Sequence, residues 1–313
     1  MIKAKNLSKR FGPTVAVENA SFEVKKGEVV GFLGPNGAGK TTTMRMITCY
    51  LLPDSGTAEI AGFNIHKTPL EVRRKIGYLP ENAPLYSEMI VRDFLDFVGE
   101  VRGMSEAKRK KAIGRMVEVT SLESVIRRPI GELSRGYRQR VGLAQAMLHD
   151  PDILIMDEPT SGLDPTQIIE IRELIKELGK EKTVILSTHI LPEVSATCNR
   201  VLIISNGEIV ASGSPEELSQ RAQGKGTITL TIRGPREDME KGLKGFPGVE
   251  SVEKISSAPV QDDLHRFRVT TQEGKDISED LFRFVVERRW ILSELYKEKV
   301  SLEDIFLQLT TKD

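Results

Sequence analysis

Three stretches in which apolar residues alternate with polar ones, or run together, open the chain and read as short strands: Met1–Asn6, Thr14–Phe22 and Glu28–Leu33. Gly12 and Gly27 separate them, the second inside a Lys-Lys-Gly-Glu turn. Pro53-Asp54-Ser55-Gly56, followed by Thr57–Ile60 and then Gly62, predicts another hairpin. From Leu85 to about Ser124 the pattern turns helical and rich in Lys, Arg and Glu, with apolar positions at Phe94, Leu95, Phe97 and Val98. Farther on, buried-type strands alternate with helices. Asp152–Met156, Thr183–Ser187 and Val201–Ser205 read as strands and Gln167–Leu178 as a helix. Such alternation predicts a parallel sheet covered by helices, an α/β architecture.

The composition changes at Gln220-Arg221-Ala222-Gln223-Gly224-Lys225-Gly226, which reads as a linker over 220–226. Beyond it the order is strand Thr227–Arg233, helix Arg236–Leu243, strand Val249–Ile255, strand Arg266–Thr270, helix Ile277–Arg288 and strand Ile291–Tyr296. That β-α-β-β-α-β order predicts a small α+β, ferredoxin-like domain over 227–313, beside a larger domain over 1–219. Two domains also suit a chain of 313 residues.

Charge and cysteine content narrow the function classes. Basic and acidic residues balance at 45 each, so no whole-chain field attracts nucleic acid. Cys49 and Cys198 stand far apart, in no metal-ligand spacing, and read as unpaired thiols of a reducing compartment. The N-terminus lacks the apolar core of a signal peptide, and no apolar run approaches the ~20 residues that cross a bilayer. The expectation is a soluble chain whose membrane role, if it has one, needs a partner.

The chemistry concentrates in a few places. Gly34-Pro35-Asn36-Gly37-Ala38-Gly39-Lys40-Thr41-Thr42 follows the apolar strand Val29–Leu33 and opens a helix expected over Thr42–Tyr50. This is the phosphate-loop pattern in its proper context. Glycines let backbone N–H groups converge on phosphate oxygens, and the helix N-terminus adds positive potential. Lys40 is placed to reach the β and γ phosphates, and the Thr41 hydroxyl to ligate Mg²⁺. An incidental glycine-rich turn is the bland alternative. Ile153–Met156 runs into Asp157 and Glu158, two carboxylates at a strand end, where parallel sheets place ligands. Asp157 suits the Mg²⁺ contact and Glu158 a general base for water; a solvated acidic strand end is the alternative.

Leu133-Ser134-Arg135-Gly136-Tyr137-Arg138-Gln139-Arg140, ahead of a helix expected over Val141–Leu148, resembles the Leu-Ser-Gly-Gly-Gln signature of ATP-binding cassettes. Taken without that resemblance, Ser134 reads equally as the N-cap of an amphipathic helix. The resemblance implies that Ser134 and Gly136 grip the γ-phosphate bound by an opposite subunit; Arg135 and Tyr137 depart from the family pattern. It extends over about residues 1–219, as a P-loop NTPase cassette with N-terminal antiparallel strands, a parallel core sheet and a helical subdomain at about 85–145. Ser161-Gly162-Leu163-Asp164 resembles the D-loop that joins two cassettes. His189, in Leu186-Ser187-Thr188-His189, is similar to the switch histidine that contacts the γ-phosphate and steadies the water held by Glu158. Phe11 matches the aromatic that stacks on adenine, with a core or turn aromatic as the alternative. Glu81, in Ile76-Gly77-Tyr78-Leu79-Pro80-Glu81, stands where most of the family carries a Gln that contacts Mg²⁺.

The resemblance implies ATP and Mg²⁺ as cofactors and ATP hydrolysis as the activity. It implies two partners: an integral membrane permease, docked near Asn82–Arg92, and a second copy or a related cassette. The chain would then lie on the cytoplasmic face of the membrane, held there by the permease. Ser301–Thr310 resembles the ending of ATPases in the type-two export branch, and the signature and Leu79–Asn82 are similar to gliding-motility and drug-export subunits. A soluble cassette ATPase acting on nucleic acid or ribosomes is the alternative, although no tandem cassette or basic extension is present. A P-loop kinase or GTPase is disfavoured by the signature and His189.

Overall fold

The computed structural model describes residues 1–221, 226–255, 264–272, 276–298 and 302–310. The chain divides into two compact units. One comprises Met1–Pro215 together with the described end of the chain from Phe306; the other is Glu216–Ile305.

The first unit begins with an antiparallel sheet of β1 (Ile2–Phe11), β2 (Thr14–Val24), β4 (Ser55–Ile60) and β5 (Phe63–Asn64), in the order β2-β1-β4-β5. Strand β1 runs five residues beyond the Asn6 end that the pattern predicts. Asn6 and Asn19 both adopt positive φ, at 50°, and the β1–β2 register shifts there. Asn tolerates this conformation, so the bulges interrupt the hydrophobic alternation without ending the strand.

The second sheet carries the chemistry. It contains β3 (Val29–Leu33), β6 (Ile76–Leu79), β7 (Ile153–Asp157), β8 (Thr183–Thr188), β9 (Arg200–Ser205) and β10 (Glu208–Gly213), in the order β10-β9-β3-β8-β7-β6. Pairing is parallel from β9 to β6, and only β10 is antiparallel. Every residue of β3, β7 and β8 is buried, which explains their unbroken apolar character. Helices α1 (Lys40–Ile47), α2 (Pro69–Lys75), α6 (Pro165–Gly179), α7 (Leu191–Thr197) and α8 (Pro215–Arg221) connect or follow these strands. One apolar cluster fills the space between the two sheets, with Phe32, Met44, Met46 and Ile155 fully buried in it.

The helical subdomain consists of α3 (Val91–Val101), α4 (Glu106–Val119) and α5 (Arg135–Met147), with a 3-10 turn at Ile130–Glu132. Two sequence expectations change here. Leu85–Ile90 is not helical: Pro80 and Pro84 precede it, and Ile90 instead makes an isolated bridge to Pro129. Helix α5 starts at Arg135 rather than Val141, because Ser134 caps it.

The second unit has β11 (Thr227–Arg233), α9 (Arg236–Lys244), β12 (Val249–Lys254), β13 (Leu264–Thr271), α10 (Ser278–Glu287) and β14 (Ile291–Glu298). Its sheet order, β12-β13-β11-β14 with every pair antiparallel, is the ferredoxin-like arrangement that the element order predicts. Ile228, Leu230, Phe267 and Leu281 form its own core. Two boundary readings are corrected. Gln220 and Arg221 close helix α8 rather than open a linker, and 222–225 of that linker lie outside the described residues. The tail forms helix α11 (Leu302–Thr310), and from Phe306 onward it groups with the first unit instead of completing a 227–313 domain. Composition reports a change of local character; it carries no information on which distant surface a terminal helix meets.

Candidate nucleotide-binding and hydrolysis site

The loop from Gly34 to Gly39 joins β3 to α1 at the C-terminal edge of the parallel sheet. Gly39 sits at φ 105°, and a Cβ there would lie 2.5 Å from the carbonyl oxygen of Ala16, so only glycine closes the loop. The loop is pinned from outside: Gly34 N–H donates to the Thr188 carbonyl at 3.4 Å, and Gly207 N–H donates to the Ala38 carbonyl at 3.0 Å.

Lys40, the first residue of α1, is buried and folds back across the loop. Its Nζ donates to the Gly34 and Pro35 carbonyls at 2.8 and 3.2 Å and lies 3.3 Å from Glu158 Oε1. Two buried opposite charges in contact offset each other's desolvation. Glu158 follows the last residue of β7, and its N–H donates to Ser187 Oγ at 3.0 Å. Its other oxygen, Oε2, lies 3.0 Å from His189 Nδ1.

Asp157 is 1% exposed. Its Oδ1 accepts from Ser187 Oγ at 2.5 Å and from Thr41 Oγ1 at 3.1 Å, whereas its Oδ2 is buried with no hydrogen-bond partner. An orphaned carboxylate oxygen beside a hydroxyl is a hard-oxygen donor set, and it fits Mg²⁺. Thr41 and Asp157 are therefore the residues that would hold the ion.

Asn36, Gly37, Gly39, Lys40, Thr41, Thr42, Glu81, Glu158, Ser161 and His189 line one cavity of about 390 Å³ together with Ala16. Gly34, Pro35 and Ala38 shape that loop through their backbones, as above. Phe11 does not line the cavity; it stands 51% exposed at the end of β1, with Lys9 Nζ 5.9 Å from its ring centroid.

The signature residues lie elsewhere. Ser134 caps α5 by accepting from Tyr137 N–H at 3.4 Å. Gly136 and Tyr137 line a different cavity of about 870 Å³, which shares no residue with the first. The loop Ser161–Asp164 connects the two, with Ser161 in the phosphate-loop cavity and Asp164 in the signature cavity. Asp164 caps α6 by accepting from Gln167 N–H at 2.9 Å. Gly162 adopts φ 69°, and a Cβ there would collide with the Arg135 guanidinium, so Arg135 packs directly on this loop. Leu163 is tied in through its N–H to the Thr160 carbonyl at 3.2 Å.

Taken together, a phosphate loop, a buried Mg²⁺-type carboxylate, an adjacent carboxylate with a histidine partner, and a separate Ser-capped helix form the parts of a cassette ATPase. Residues 17–161 match the ABC transporter family. The chain is 38% identical over 312 residues to the uncharacterized ABC transporter ATP-binding protein YxlF of Bacillus subtilis (strain 168), covering 99% of each chain. The chain belongs to the ATP-binding subunits of ABC transporters. A second relative, the Nod factor export ATP-binding protein I of Burkholderia orbicola (strain AU 1054), is 32% identical over 321 residues, 100% of this chain and 97% of that one. Among solved structures, the dimeric bacterial ABC transporter cassette MJ0796 superposes with a TM-score of 0.64 at 27% identity, covering 68% of this chain and 98% of that one. The same cassette is known in a post-hydrolysis state with ADP and Pi. This ABC subunit accordingly binds and hydrolyses ATP with Mg²⁺, and a nucleic-acid-directed activity finds no support among these relatives.

Three participants escaped the sequence reading. Ser187 holds both Asp157 and the Glu158 backbone, Gln139 Nε2 donates to the Pro159 carbonyl at 2.9 Å, and Glu193 accepts from Thr188 Oγ1 at 2.8 Å. Ser187 and Thr188 stand beside His189 in the sequence, which is the one signal that pointed to them.

Proposed function

We propose that this ABC subunit is the motor of an exporter and works as a head-to-tail pair of cassettes. Each ATP is clamped between the phosphate loop of one chain and Ser134–Gly136 of the other. The observation that carries this reading is that none of Ser134–Tyr137 lines the phosphate-loop cavity of the same chain.

Within the site, the glycine-loop N–H groups and Lys40 bind the β and γ phosphates. Phosphate oxygens then replace the Gly34 and Pro35 carbonyls as acceptors for Lys40, which frees Glu158 from part of its ion pair. Glu158 takes a proton from the attacking water, and His189 holds the Glu158 carboxylate and the γ-phosphate side of the cavity. Thr41 and Asp157, with Glu81 lining the same cavity, would hold Mg²⁺, which would neutralise phosphate charge there. Phe11 stacks on adenine from outside the phosphate cavity. The loop Ser161–Asp164, packed against Arg135, joins the two half-sites across the interface, and Arg135 and Tyr137 flank the partner's nucleotide.

A permease docks near Asn82–Arg92. Tyr86, Ser87, Glu88, Met89 and Phe97 line an apolar recess there, with Tyr86 and Phe97 about half exposed and edge-on at 5.9 Å. No helix among the described residues is long and apolar enough to cross a membrane, so a cytoplasmic, peripheral position requires that partner. The Nod factor export relative supports outward transport. The ferredoxin-like unit serves as a structural or regulatory contact between copies.

Pull-down from detergent-solubilised membranes tests the proposal. With Glu158→Gln and ATP, a multi-span membrane protein is expected to co-purify in an amount that depends on ATP. Recovery of no membrane protein, together with ATPase stimulation by RNA or DNA, would sink it.

A further inference from the structure

The buried carboxyl that binds the Thr188 hydroxyl beside His189 has no role yet in the chemistry of the site. Glu193, on α7, is 4% exposed, and among the described residues it has no cationic partner. Its Oε2 accepts from Thr188 Oγ1 at 2.8 Å, and its Oε1 is buried with no hydrogen-bond partner. A carboxyl in such a place costs several kcal/mol relative to an apolar side chain of similar volume. Local rules are broken in this way mainly where function requires it.

We propose that Glu193 is a positioning residue for His189 in ATP hydrolysis and acts through Thr188. The inference rests on the role proposed above for His189. Thr188 is fully buried, and its hydroxyl has one proton. That proton goes to Glu193, so the lone pairs face the other way and accept Ile190 N–H at 3.0 Å. The resulting turn spans His189 and fixes its backbone where it leaves β8. The Thr188 carbonyl meanwhile accepts Gly34 N–H from the phosphate loop at 3.4 Å. One residue thus ties the histidine to the loop it must face.

The anchor for this chain of contacts is α7 itself. A Cβ on Gly31 of β3 would sit 2.8 Å from Val194 Cγ1 and 3.0 Å from Cys198 Sγ. Helix α7 is therefore pressed onto the sheet backbone immediately after Glu193, at Val194 and at its C-cap Cys198, which holds the turn that carries the carboxyl against β3. Misplacing a reacting or positioning group by 1 Å costs on the order of 10²-fold in rate. Loosening the His189 turn should therefore act on turnover, not on nucleotide affinity.

Steady-state ATP hydrolysis by the full-length chain tests this, with thermal unfolding of each variant alongside. Glu193→Leu is expected to lower kcat by about 10-fold or more with KM for ATP within about 2-fold, and Glu193→Gln, which keeps an acceptor oxygen for Thr188, to stay within about 3-fold of wild type. Thr188→Val, nearly isosteric and lacking the hydroxyl, should reproduce the Glu193→Leu loss even if the latter folds poorly. Because the residues act as one unit, Glu193→Leu should add nothing to His189→Ala. Wild-type kcat in both Glu193→Leu and Thr188→Val, a further loss in the His189→Ala background, or a Gln variant as impaired as Leu would overturn the inference. If His189→Ala itself left kcat unchanged, the role assigned to the histidine would fall and the inference with it.

Discussion

Glu158 adopts φ 48°, a left-handed backbone conformation that costs a non-glycine residue on the order of 1–3 kcal/mol. Ser187, which takes the Glu158 N–H through both its hydroxyl and its carbonyl, holds that conformation in place. The strain aims the carboxylate between Lys40 and His189. Glu158→Gln keeps the shape and removes the base, so kcat should fall by about 10²–10³-fold. ATP affinity should hold or rise, because Lys40 no longer divides its charge between phosphate and carboxylate. Phosphate release and nucleotide titration check the two halves. A second residue-scale effect lies away from the site. Burial, then the nearby Arg102 guanidinium, pushes the His149 pKa down from 6.5 to about 4. Its Nε2 meets the Ile76 carbonyl at 3.1 Å, and its Nδ1 is buried without a partner. Below pH 6.5 the unfolded chain takes up a proton that the folded chain refuses until about pH 4. Stability is therefore fully present above pH 6.5 and declines as pH falls toward 4, by on the order of 2 kcal/mol after allowing for partial exposure. His149→Gln, which still donates to Ile76, should flatten that part of the pH–stability curve measured by urea unfolding.

At the scale of elements, α5 separates what was legible in the sequence from what was not. The phosphate loop and the Asp157–Glu158 pair were legible because their chemistry is written in consecutive residues at the end of an apolar strand. The α5 start was read six residues late because Arg135–Arg140 shows no apolar face. What starts the helix there is the Ser134 cap, with Gly136 buried under the Gln167 side chain, a contact made across 31 residues of chain. Glu193 was invisible for a different reason: Thr188 stands only five residues before it, but the sequence does not show that its carboxyl is buried against that hydroxyl. The Ser134 cap yields a prediction in which stability and function part company. Ser134→Ala removes an acceptor that is already long, at 3.4 Å, so the loss should sit near the lower end of the ~0.5–2 kcal/mol range. Ser134→Asp keeps the acceptor and adds negative charge at a helix N-terminus, so thermal stability should match or exceed wild type. On the proposed arrangement hydrolysis should nevertheless be abolished, since the carboxylate would stand where the partner's γ-phosphate is to bind. An active Ser134→Asp chain would mean that this helix end never meets a phosphate.

For the whole molecule, the proposed pairing predicts assembly driven by ATP. The chain has one phosphate loop and one signature, and no signature residue lines the phosphate-loop cavity. On the head-to-tail arrangement proposed above, one nucleotide engages both when a second chain supplies the missing half. ATP then favours the paired form by its differential affinity, and moving that equilibrium from 1:99 to 99:1 requires about 10⁴-fold tighter binding to the pair. Hydrolysis removes the γ-phosphate bridge and with it this difference, so only a chain that binds without hydrolysing should accumulate as a pair. In light scattering, Glu158→Gln with ATP and Mg²⁺ should approach about twice the 34.9 kDa of one chain. ADP, or addition of Ser134→Asp to the same chain, should return it to one. The Ser134→Asp arm decides between mechanisms, because that residue does not line the phosphate-loop cavity of its own chain. If the double variant still paired in ATP, the contact would come from another surface, such as the ferredoxin-like unit. ATP would then not be what joins the two cassettes.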